Sequence, residues 1–432
     1  MANAVYNVNT TFLGIDVGTS GIRACLIDAA GQELATVHTA LPEPTRNNAC
    51  IEQEPDLWWQ ALQGVLDELH AQHPLNNLAA LSIDGTSATL LACNAQGQTL
   101  GPALMYNDHR AQAEAAMIAA AAPLNSGAQG AHSSLAKALW LLRQPMSDKP
   151  RYLLHQADWL AARLTGHFGI SDENNALKLG YDPITRTWPS WINGLEVDRS
   201  LLPRVVAPGT RLSPVLPEWA QRWTMPRVQV VAGTTDSTAA FLATGAQTIG
   251  QAVTSLGSTL VLKVLAERPI FAPEYGVYSH RLGERWLVGG ASNTGGAVLR
   301  QYFSNDQLRN LESKLDPMRP TGLDYYPLPG IGERFPMNDP HLQPRLTPRP
   351  AEDAVFLQGL LEGIARIEQR GYELLETLGA PYPTQVISSG GGANNIAWRK
   401  LRENLLSVPV TLAGHQDAAY GAARLARQSY TD

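Results

Sequence analysis

The sequence predicts an α/β protein built from two domains. The chain has 432 residues, which exceeds one ordinary core and suits two domains of roughly 200 residues each. Hydrophobic residues make up 44% of the chain and charged residues 17%, so it can bury sizeable cores and lacks the composition of a disordered protein. A strand, turn and strand pattern near the start of the chain also returns in altered form in the second half.

This repeated hairpin is the most informative feature of the chain. Each copy has two apolar strands around a turn of glycine and hydroxyl residues: 12–17, Gly18, Thr19, Ser20 and 22–27 in the first copy, and 253–256, Gly257, Ser258, Thr259 and 260–265 in the second. Backbone N–H groups at glycine-rich turns bind phosphate oxygens. A duplicated turn of this kind predicts a nucleotide held between two domains.

The rest of the first half alternates helices, strands and loops. In order, we expect a helix over 55–70, a strand over 78–83 that ends in polar residues, a strand over 89–93, a helix over 111–122, a proline-rich surface connection over 203–226, and a strand over 228–231. Polar residues at a strand end are typical of the active-site edge of an α/β sheet. The domain boundary is expected near Thr244.

The second half is richer in glycine and proline. After the repeated hairpin we expect a glycine-rich element over 289–296 heading a short helix, a proline-rich loop over 317–350, a helix over 355–378, and a strand over 385–388 that runs into glycines 390–392. A strand leading through glycines to a helix is a natural nucleotide-contact geometry. The long loop is predicted to be a functional or domain-specific insertion, whose role the sequence leaves open.

Two aspartates are the main candidates for chemistry. Asp16 lies two residues before the first turn, where a carboxylate can bind Mg²⁺ while the metal neutralises phosphates; the alternative is an aspartate that caps its own turn. Asp236 follows the strand over 228–231 and precedes an alanine-rich helix. It can be a helix N-cap or the base that accepts a proton from a hydroxyl attacking a phosphoryl group, and the two roles can coexist.

Several function classes are disfavoured by composition and motif. The net charge of −6 and the lack of any basic run argue against a nucleic-acid partner. No secretory leader and no run of about 18 apolar residues is visible, so no membrane partner and a cytoplasmic location are expected. Three widely spaced cysteines, Cys25, Cys50 and Cys93, fit reduced thiols. Neither the P-loop nor the dinucleotide fingerprint matches.

The order of motifs resembles the FGGY carbohydrate kinases, within the superfamily of actin-like and sugar-kinase ATPases. The likeness covers almost the whole chain and rests on seven segments: GIDVGTSGIR at 14–23, MYNDHRA at 105–111, VVAGTTDSTAA at 230–240, SLGSTLVLK at 255–263, GERFP at 332–336, SSGGGANNIAWRK at 388–400 and DAAYGAARLA at 417–426. They resemble, in turn, the family's first phosphate motif, sugar-side helix start, catalytic-aspartate segment, second phosphate motif, insertion signature, adenosine motif and closing helix.

This resemblance implies two ribonuclease H-like domains, of the actin-like ATPase type, with a deep cleft between them. Residues 1–244 would form a sugar-binding domain and 245–432 an ATP-binding domain, with ATP and Mg²⁺ bound and the γ-phosphoryl group passed to a terminal sugar hydroxyl. The oligomeric state is left open between monomer and homodimer. Asp236 would be the base and Asp16 the Mg²⁺ ligand.

The same resemblance assigns the nucleotide contacts. Residues implied near phosphate are Gly18, Thr19, Ser20, Gly257, Ser258, Thr259 and Gly296, and those implied around adenosine are Gly391, Gly392, Asn395 and Trp398. For Trp398 an ordinary core position is an equal alternative, because Trp398, Leu401 and Leu405 form a helical apolar stripe.

Substrate choice depends on fewer residues. Where many xylulose kinases carry Gln-Met-His-Gly, this chain has Asp-Gly-Thr-Ser at 84–87, which weakens a D-xylulose assignment. The combination of SIDGTSATLL at 82–91 and YNDHRA at 106–111, in a chain shorter than most of the family, is more similar to the compact D-ribulose kinases. The expected sugar contacts are therefore Asp16, Asp84, Thr86, Asn107, Asp108 and Asp236, since a polyol is recognised through many directional hydrogen bonds. D-ribulose is the first candidate; the alternatives are D-xylulose, then L-ribulose or glycerol, and a non-catalytic actin-like ATPase from a different class.

Overall fold

The computed structural model describes residues 9–431, which form two compact units. Unit 1 holds the described residues up to Ala243 together with those from Asp417 onward, and unit 2 is Thr244–Gln416. The domain bounds expected from the sequence, 1–244 and 245–432, stay a prediction. The expected second domain, however, runs to residue 432, whereas in the structure the last helix belongs to unit 1.

Unit 1 is built on a six-stranded sheet and a smaller five-stranded sheet. Its strands are β1 (Thr11–Val17), β2 (Gly21–Asp28), β3 (Glu33–Ala40), β4 (Thr45–Asn47), β5 (Cys50–Gln53), β6 (Leu78–Gly85), β7 (Leu90–Cys93), β8 (Ala103–Leu104), β9 (Tyr152–His155), β10 (Ile170–Asp172), β11 (Arg204–Val206), β12 (Arg211–Pro214) and β13 (Gln229–Val231). The large sheet has the order β12-β13-β6-β1-β2-β3 and the small one β4-β5-β8-β7-β9, while β10 and β11 pair separately.

The helices of unit 1 cover its sheets. They are α1 (Pro55–Gln72), α2 (Gln112–Ala121), α3 (Ser134–Leu142), α4 (Gln156–Thr165), α5 (Glu173–Ala176), α6 (Pro217–Arg222) and α7 (Asp236–Ala243), with short 3₁₀ helices at Leu177–Leu179, Ser190–Gly194 and Arg199–Leu201. The apolar face that the sequence predicts for α1 is confirmed, because Trp58, Leu62 and Leu66 are fully buried in the core.

Unit 2 repeats the plan of the large sheet. Its strands are β14 (Gln251–Leu256), β15 (Leu260–Ala266), β16 (Tyr278–Leu282), β17 (Arg285–Ser292), β18 (Gln385–Ser389) and β19 (Val410–Leu412), in the order β16-β17-β15-β14-β18-β19. Its helices are α8 (Gly296–Arg300), α9 (Asn305–Glu312), α10 (Asp353–Thr377) and α11 (Ile396–Leu406), with 3₁₀ helices at Pro273–Tyr275 and Gly391–Asn394. The last helix of the chain is α12 (Ala418–Thr431).

The two predicted hairpins are equivalent in position. β1 pairs antiparallel with β2 and parallel with β6, and β14 pairs antiparallel with β15 and parallel with β18. Each glycine-rich turn therefore stands at the end of a strand whose other neighbour is parallel. The expected α/β fold is confirmed, and each unit contains its own copy of the strand–turn–strand hairpin.

Glycines allow three close backbone approaches in unit 1. A Cβ on Gly14 in β1 would overlap the Ala419 carbonyl of α12, and a Cβ on Gly421 of α12 would overlap the Ala239 carbonyl of α7. A Cβ on Gly233 would overlap the Ile83 carbonyl of β6. These contacts place α12 against the central strand of unit 1, which explains why the final helix leaves unit 2.

A buried ion pair links the strands and helices of unit 2. Arg402 of α11 donates two hydrogen bonds to Glu368 of α10, at 2.6 and 2.7 Å, and a third to the Ser388 hydroxyl of β18 at 2.6 Å. Thr254 of β14 donates to the same glutamate at 2.5 Å. Because every charge in this network is satisfied, the pair specifies how these four elements pack.

One sequence-based expectation is wrong. The proline-rich stretch 203–226 is not a plain surface connection, since it holds β11, β12 and α6, and β12 is an edge strand of the large sheet. Prolines at the end of β12 and the start of α6 are compatible with an edge strand and a first helical turn. The glycine-rich stretch 289–296 does lead into a short helix, α8, as expected. Its first glycines lie within β17, where a Cβ on Gly290 would crowd the ring of Phe335. Within residues 9–431, no helix is long and apolar enough to cross a membrane.

Substitution of Gly14 tests the packing of α12. We expect Gly14→Ala to lower the thermal unfolding temperature strongly, because backbone atoms of α12 have to move and overpacking of a core costs about 1–3 kcal/mol or more. Gly64→Ala is the matched control: Gly64 lies exposed on α1 with open space around it, and alanine there should raise stability by about 0.5–1 kcal/mol. Calorimetry at one scan rate compares both variants; a Gly14→Ala protein as stable as the wild type contradicts the packing.

Candidate functional site

Three aspartates meet at one edge of the large sheet of unit 1. The parallel register of β1 and β6 pairs Asp16 with Asp84 directly. Asp236 is the first residue of α7, which follows β13, the other parallel neighbour of β6. A single bridge from Gly85 to Thr235 continues this pairing beyond the strands. The carboxyl ends of three adjacent strands therefore bring Asp16, Asp84 and Asp236 together, as expected for the functional edge of such a sheet.

Burial and mutual repulsion favour the protonated form of Asp84 and Asp16. Asp84 is fully buried, and burial raises its pKa well above the usual value, with the charges of Asp16 and Asp236 adding to the rise. Burial likewise raises the pKa of Asp16 to about 6; interaction with Asp84 lowers it, Asp236 raises it, and the positive charge of Arg23 lowers it.

The cluster has the chemistry of a cation and hydroxyl site. The carboxyls of Asp16 and Asp84 interact with one another, which lowers the pKa of Asp16 and raises that of Asp84. Among the described residues, no other group bonds to the buried oxygens of Asp84, so they can take up a ligand. A divalent cation or sugar hydroxyl groups would relieve the repulsion, and Mg²⁺ prefers carboxylate oxygens of this kind. Within residues 9–431, no group of three or more His, Cys, Asp or Glu side chains is arranged to hold a metal ion. Mg²⁺ needs only one or two protein carboxylates, and Asp16 stays the ligand that the sequence predicts.

Asp236 is the first residue of α7, and it is partly exposed. Its Oδ1 accepts a hydrogen bond from the Ser237 backbone N–H at 2.6 Å. The preceding hydroxyls are used within unit 1, because Thr234 accepts from the Asn174 amide at 2.9 Å and Thr235 bonds to Thr238 at 3.0 Å. These contacts hold the start of α7 and so orient the carboxylate of Asp236.

The other expected sugar contacts differ in their availability. Thr86 is buried, and its hydroxyl lies 2.9 Å from the Gln156 side-chain oxygen and 2.5 Å from the Thr89 hydroxyl. The side-chain oxygen of Asn107 is buried and has no partner among the described residues. It therefore remains available to a ligand.

Asp108 is used by the protein itself. Its carboxylate accepts from the Ile51 backbone N–H at 2.7 Å and from the Arg110 guanidinium at 2.6 Å. Arg110 in turn reaches Glu52 at 2.6 Å. The structure thus commits Asp108 to ordering its own segment, which does not fit the direct sugar contact expected from the sequence.

In unit 2 the glycine-rich turn supports the start of α8. The N–H of Gly296 donates to the Gly257 carbonyl at 2.8 Å, and a Cβ on Gly296 would crowd that oxygen. Ser258 accepts from Arg300 at 2.8 Å. The residues that the sequence places near phosphate, Gly257, Ser258 and Gly296, are therefore neighbours in space, and Thr259 belongs to the same turn.

The turn of unit 1 is simpler. Gly18 and Gly21 close it through an N–H to carbonyl bond of 3.0 Å, and Ser20 is exposed at its tip beside the half-buried Thr19. The turn thus leaves polar groups at the surface of unit 1, as a phosphate-binding role requires.

The four adenosine candidates differ in exposure: Gly391 is exposed, Gly392 and Asn395 are half-buried, and Trp398 is buried. Gly391 is exposed with open space around it, and Gly392 packs against Trp398. The Asn395 side chain caps α11 by accepting from the Trp398 N–H at 2.7 Å. Trp398 itself is 2% exposed and donates its indole N–H to the Leu361 carbonyl at 3.1 Å. Its ring therefore belongs to the core, and stacking on adenine does not fit.

Three charged residues near these turns were missed in the sequence. Arg23 lies opposite Asp16 in the β1–β2 register and forms an ion pair with Asp417. Arg300 bonds to the second turn, as described above. Glu333 of the proline-rich loop is 2% exposed and accepts from the Ser292 hydroxyl at 2.6 Å and the Asn293 N–H at 2.7 Å. Arg23 and Glu333 lie within family motifs, and Arg300 lies shortly after the glycine-rich stretch 289–296. A charge close to glycines was therefore the available signal.

Removing the charge of Asp84 should stabilise the protein at alkaline pH. An acid whose pKa is higher in the folded protein contributes stability at low pH that is lost as the pH rises through the folded pKa. We therefore expect Asp84→Asn to raise the thermal unfolding temperature at pH 8 by on the order of 3 °C, and to raise it less at pH 5, because the raised pKa of Asp84 leaves less negative charge to remove as the pH falls.

The control is Asp56→Asn, because the Asp56 side chain is 69% exposed on α1. It should leave the unfolding temperature nearly unchanged at both pH values. An Asp84→Asn protein that loses stability equally at pH 5 and pH 8 would show that the carboxylate is stabilising and not repelled.

Comparison with known proteins gives the family. The model of the N-terminal domain of the FGGY family of carbohydrate kinases matches residues 11–243, and that of the C-terminal domain matches residues 252–429. The chain is 28% identical over 439 residues to a xylulose kinase of Escherichia coli (strain K12), which covers 96% of this chain and 89% of that protein. It is 27% identical over 444 residues to a xylulose kinase of Klebsiella pneumoniae, with coverage of 98% and 90%.

A solved structure agrees with the sequence relatives. The fold matches that of a kinase from Brucella ovis, named a xyloylose kinase, with a TM-score of 0.88, 26% identity, and coverage of 98% of this chain and 90% of that one. The two family models together span nearly all of the described residues and both units. This chain is therefore a member of the FGGY family of carbohydrate kinases, phosphotransferases that act on a sugar hydroxyl.

Proposed function

We propose that this chain transfers the γ-phosphoryl group of ATP to the terminal hydroxyl of a ketopentose. The observation that carries the proposal is the cluster of Asp16, Asp84 and Asp236 at one sheet edge of a sugar kinase. A hydroxyl attacking phosphorus must lose its proton, and a positioned carboxylate accepts it without a large pKa change. Asp236, partly exposed and oriented by the start of α7, is the proposed acceptor.

The two units would divide the substrates between them. Unit 1 would hold the sugar through Asp84, Thr86 and Asn107. Apart from Asp16 beside Asp84, no described group bonds to the buried side-chain oxygens of Asp84 and Asn107. Unit 2 would hold the nucleotide at the turn of Gly257 and Ser258. Asp16 would hold Mg²⁺, which supplies charge neutralisation on the phosphates when bound.

Two ketopentoses compete as the preferred substrate. D-xylulose is favoured by the relatives, since those named above are called xylulose kinases. D-ribulose, the first candidate from the sequence, is favoured by Asp84 and Thr86, which stand where many xylulose kinases carry glutamine and histidine. A hydrogen-bonding site that lacks one partner group rejects the wrong sugar strongly, so the residues at 84–87 are expected to decide between them.

A coupled assay of ADP release over both ketopentoses tests the function. The proposal expects release that depends on the sugar, with a ketopentose 5-phosphate identified as product by mass spectrometry. L-ribulose, glycerol and gluconate serve as comparison substrates. ATP hydrolysis that ignores every sugar would contradict the proposal.

Replacement of Asp236 tests the base. Asp236→Asn preserves the shape and the bond to Ser237 but cannot accept a proton, so kcat should fall by about 10²–10⁴-fold. ATP binding, measured as the rise in unfolding temperature with nucleotide, should stay as in the wild type. Asp56→Asn is the control with full activity, and near wild-type turnover in Asp236→Asn would rule out the base assignment.

Glu333 offers a separate test of the nucleotide side. Glu333→Gln keeps only one of the two oxygens that accept from Ser292 and Asn293, and these residues lead directly into the glycines before α8. Ser292 and Asn293 precede Gly296, which is proposed to lie near phosphate. KM for ATP should therefore rise by about tenfold, while KM for the sugar stays within about twofold. The exposed Glu352→Gln in the same unit is the control. Equal changes in both KM values would contradict this role.

A further inference from the structure

A lysine lies in the core of unit 1 and is used entirely by the backbone. Lys137 of α3 is fully buried. Its Nζ donates to the carbonyls of Met105 at 2.7 Å, Ala88 at 2.8 Å and Tyr106 at 3.3 Å. Three carbonyl acceptors match the three N–H groups of an ammonium ion.

Burying this side chain is costly. An ammonium group loses its hydration in the core, and burial lowers the pKa of Lys137 to about 7, against the effect of Asp108, which raises it. A leucine or methionine would fill the same space without that cost. The lysine is therefore explained by what its three hydrogen bonds hold in place.

The three carbonyls belong to two chain segments. Ala88 follows Thr86 by two residues and has a φ of 69°, a left-handed conformation that is uncommon for a residue with a Cβ. Met105 and Tyr106 directly precede Asn107 and are far from Ala88 in sequence. The Lys137 side chain is thus hydrogen-bonded both to the segment after β6 and to the segment after β8.

We propose that Lys137 is a positioning residue for the sugar. Its ammonium group holds the backbone beside Thr86 and the backbone beside Asn107 in one arrangement, and so sets the spacing of these two sugar contacts. Directional hydrogen bonds to a polyol depend on such spacing, since a small misplacement of binding groups weakens recognition strongly. The inference rests on the proposed function, because it takes Thr86 and Asn107 as sugar contacts.

The test separates positioning from a merely structural role. Lys137→Met keeps the length and apolar volume of the side chain but removes every donor. We expect KM for the preferred ketopentose, D-xylulose or D-ribulose, to rise at least about tenfold, with KM for ATP within about twofold and kcat lowered less than KM is raised. Lys149→Met, which changes an exposed lysine of the same unit, should leave all three values unchanged.

Each outcome bears on the inference. A folded Lys137→Met enzyme with the wild-type sugar KM, or with equal rises in KM for sugar and ATP, would overturn it. If this variant does not fold, Lys137→Gln, which retains two donors, decides by the same measurement: a selective rise in sugar KM supports the role and an unchanged value overturns it. Failure of the wild type to turn over either ketopentose would instead overturn the proposed function, and this inference with it.

Discussion

The close approach of the chain at Gly233 to β6 is the constraint on which the site depends. With no Cβ at residue 233, the backbone leaving β13 passes against the Ile83 carbonyl, so the start of α7 lies beside the end of β6. Asp236 is thereby brought to Asp84, and the parallel register of β1 brings Asp16 to the same place. Three segments far apart in sequence contribute one carboxylate each.

This arrangement is electrostatically unfavourable for the protein alone. Like charges in a buried site repel, and the raised pKa values of Asp16 and Asp84 follow from burial and from that repulsion. The packing next to the cluster is close, because Gly14 and Gly421 let α12 lie directly on β1 and α7. The clustered carboxylates destabilise the folded protein, and the close packing of α12 next to them stabilises it. This is the usual relation between an active site and its scaffold.

Unit 2 supports its turn in a different way. Its glycine-rich turn and the start of α8 are hydrogen-bonded to one another, and Glu333 holds the residues that precede them. The long proline-rich loop thus contributes a structural support to this region, which explains why a loop of that length is ordered. In the same unit, β14 and β18 are the strands that lead into the two glycine-rich segments. The buried pair of Glu368 and Arg402 connects these strands to α10 and α11.

The sequence by itself determined the two hairpins, the strand ends that carry Asp16, Asp84 and Asp236, and the family motifs, because strand periodicity, glycine turns and polar strand ends are local properties of the chain. Other features depended on partners distant in sequence. The local sequence around Trp398 is compatible with adenine contact and with core packing. Only the hydrogen bond to the Leu361 carbonyl and the surrounding core show that the indole is buried. Asp108 is committed to Ile51 and Arg110, α12 joins unit 1 through Gly14, and Lys137 finds its carbonyls in two separate segments. These were decided by the tertiary structure, since burial and hydrogen-bond partners arise only when the chain is folded.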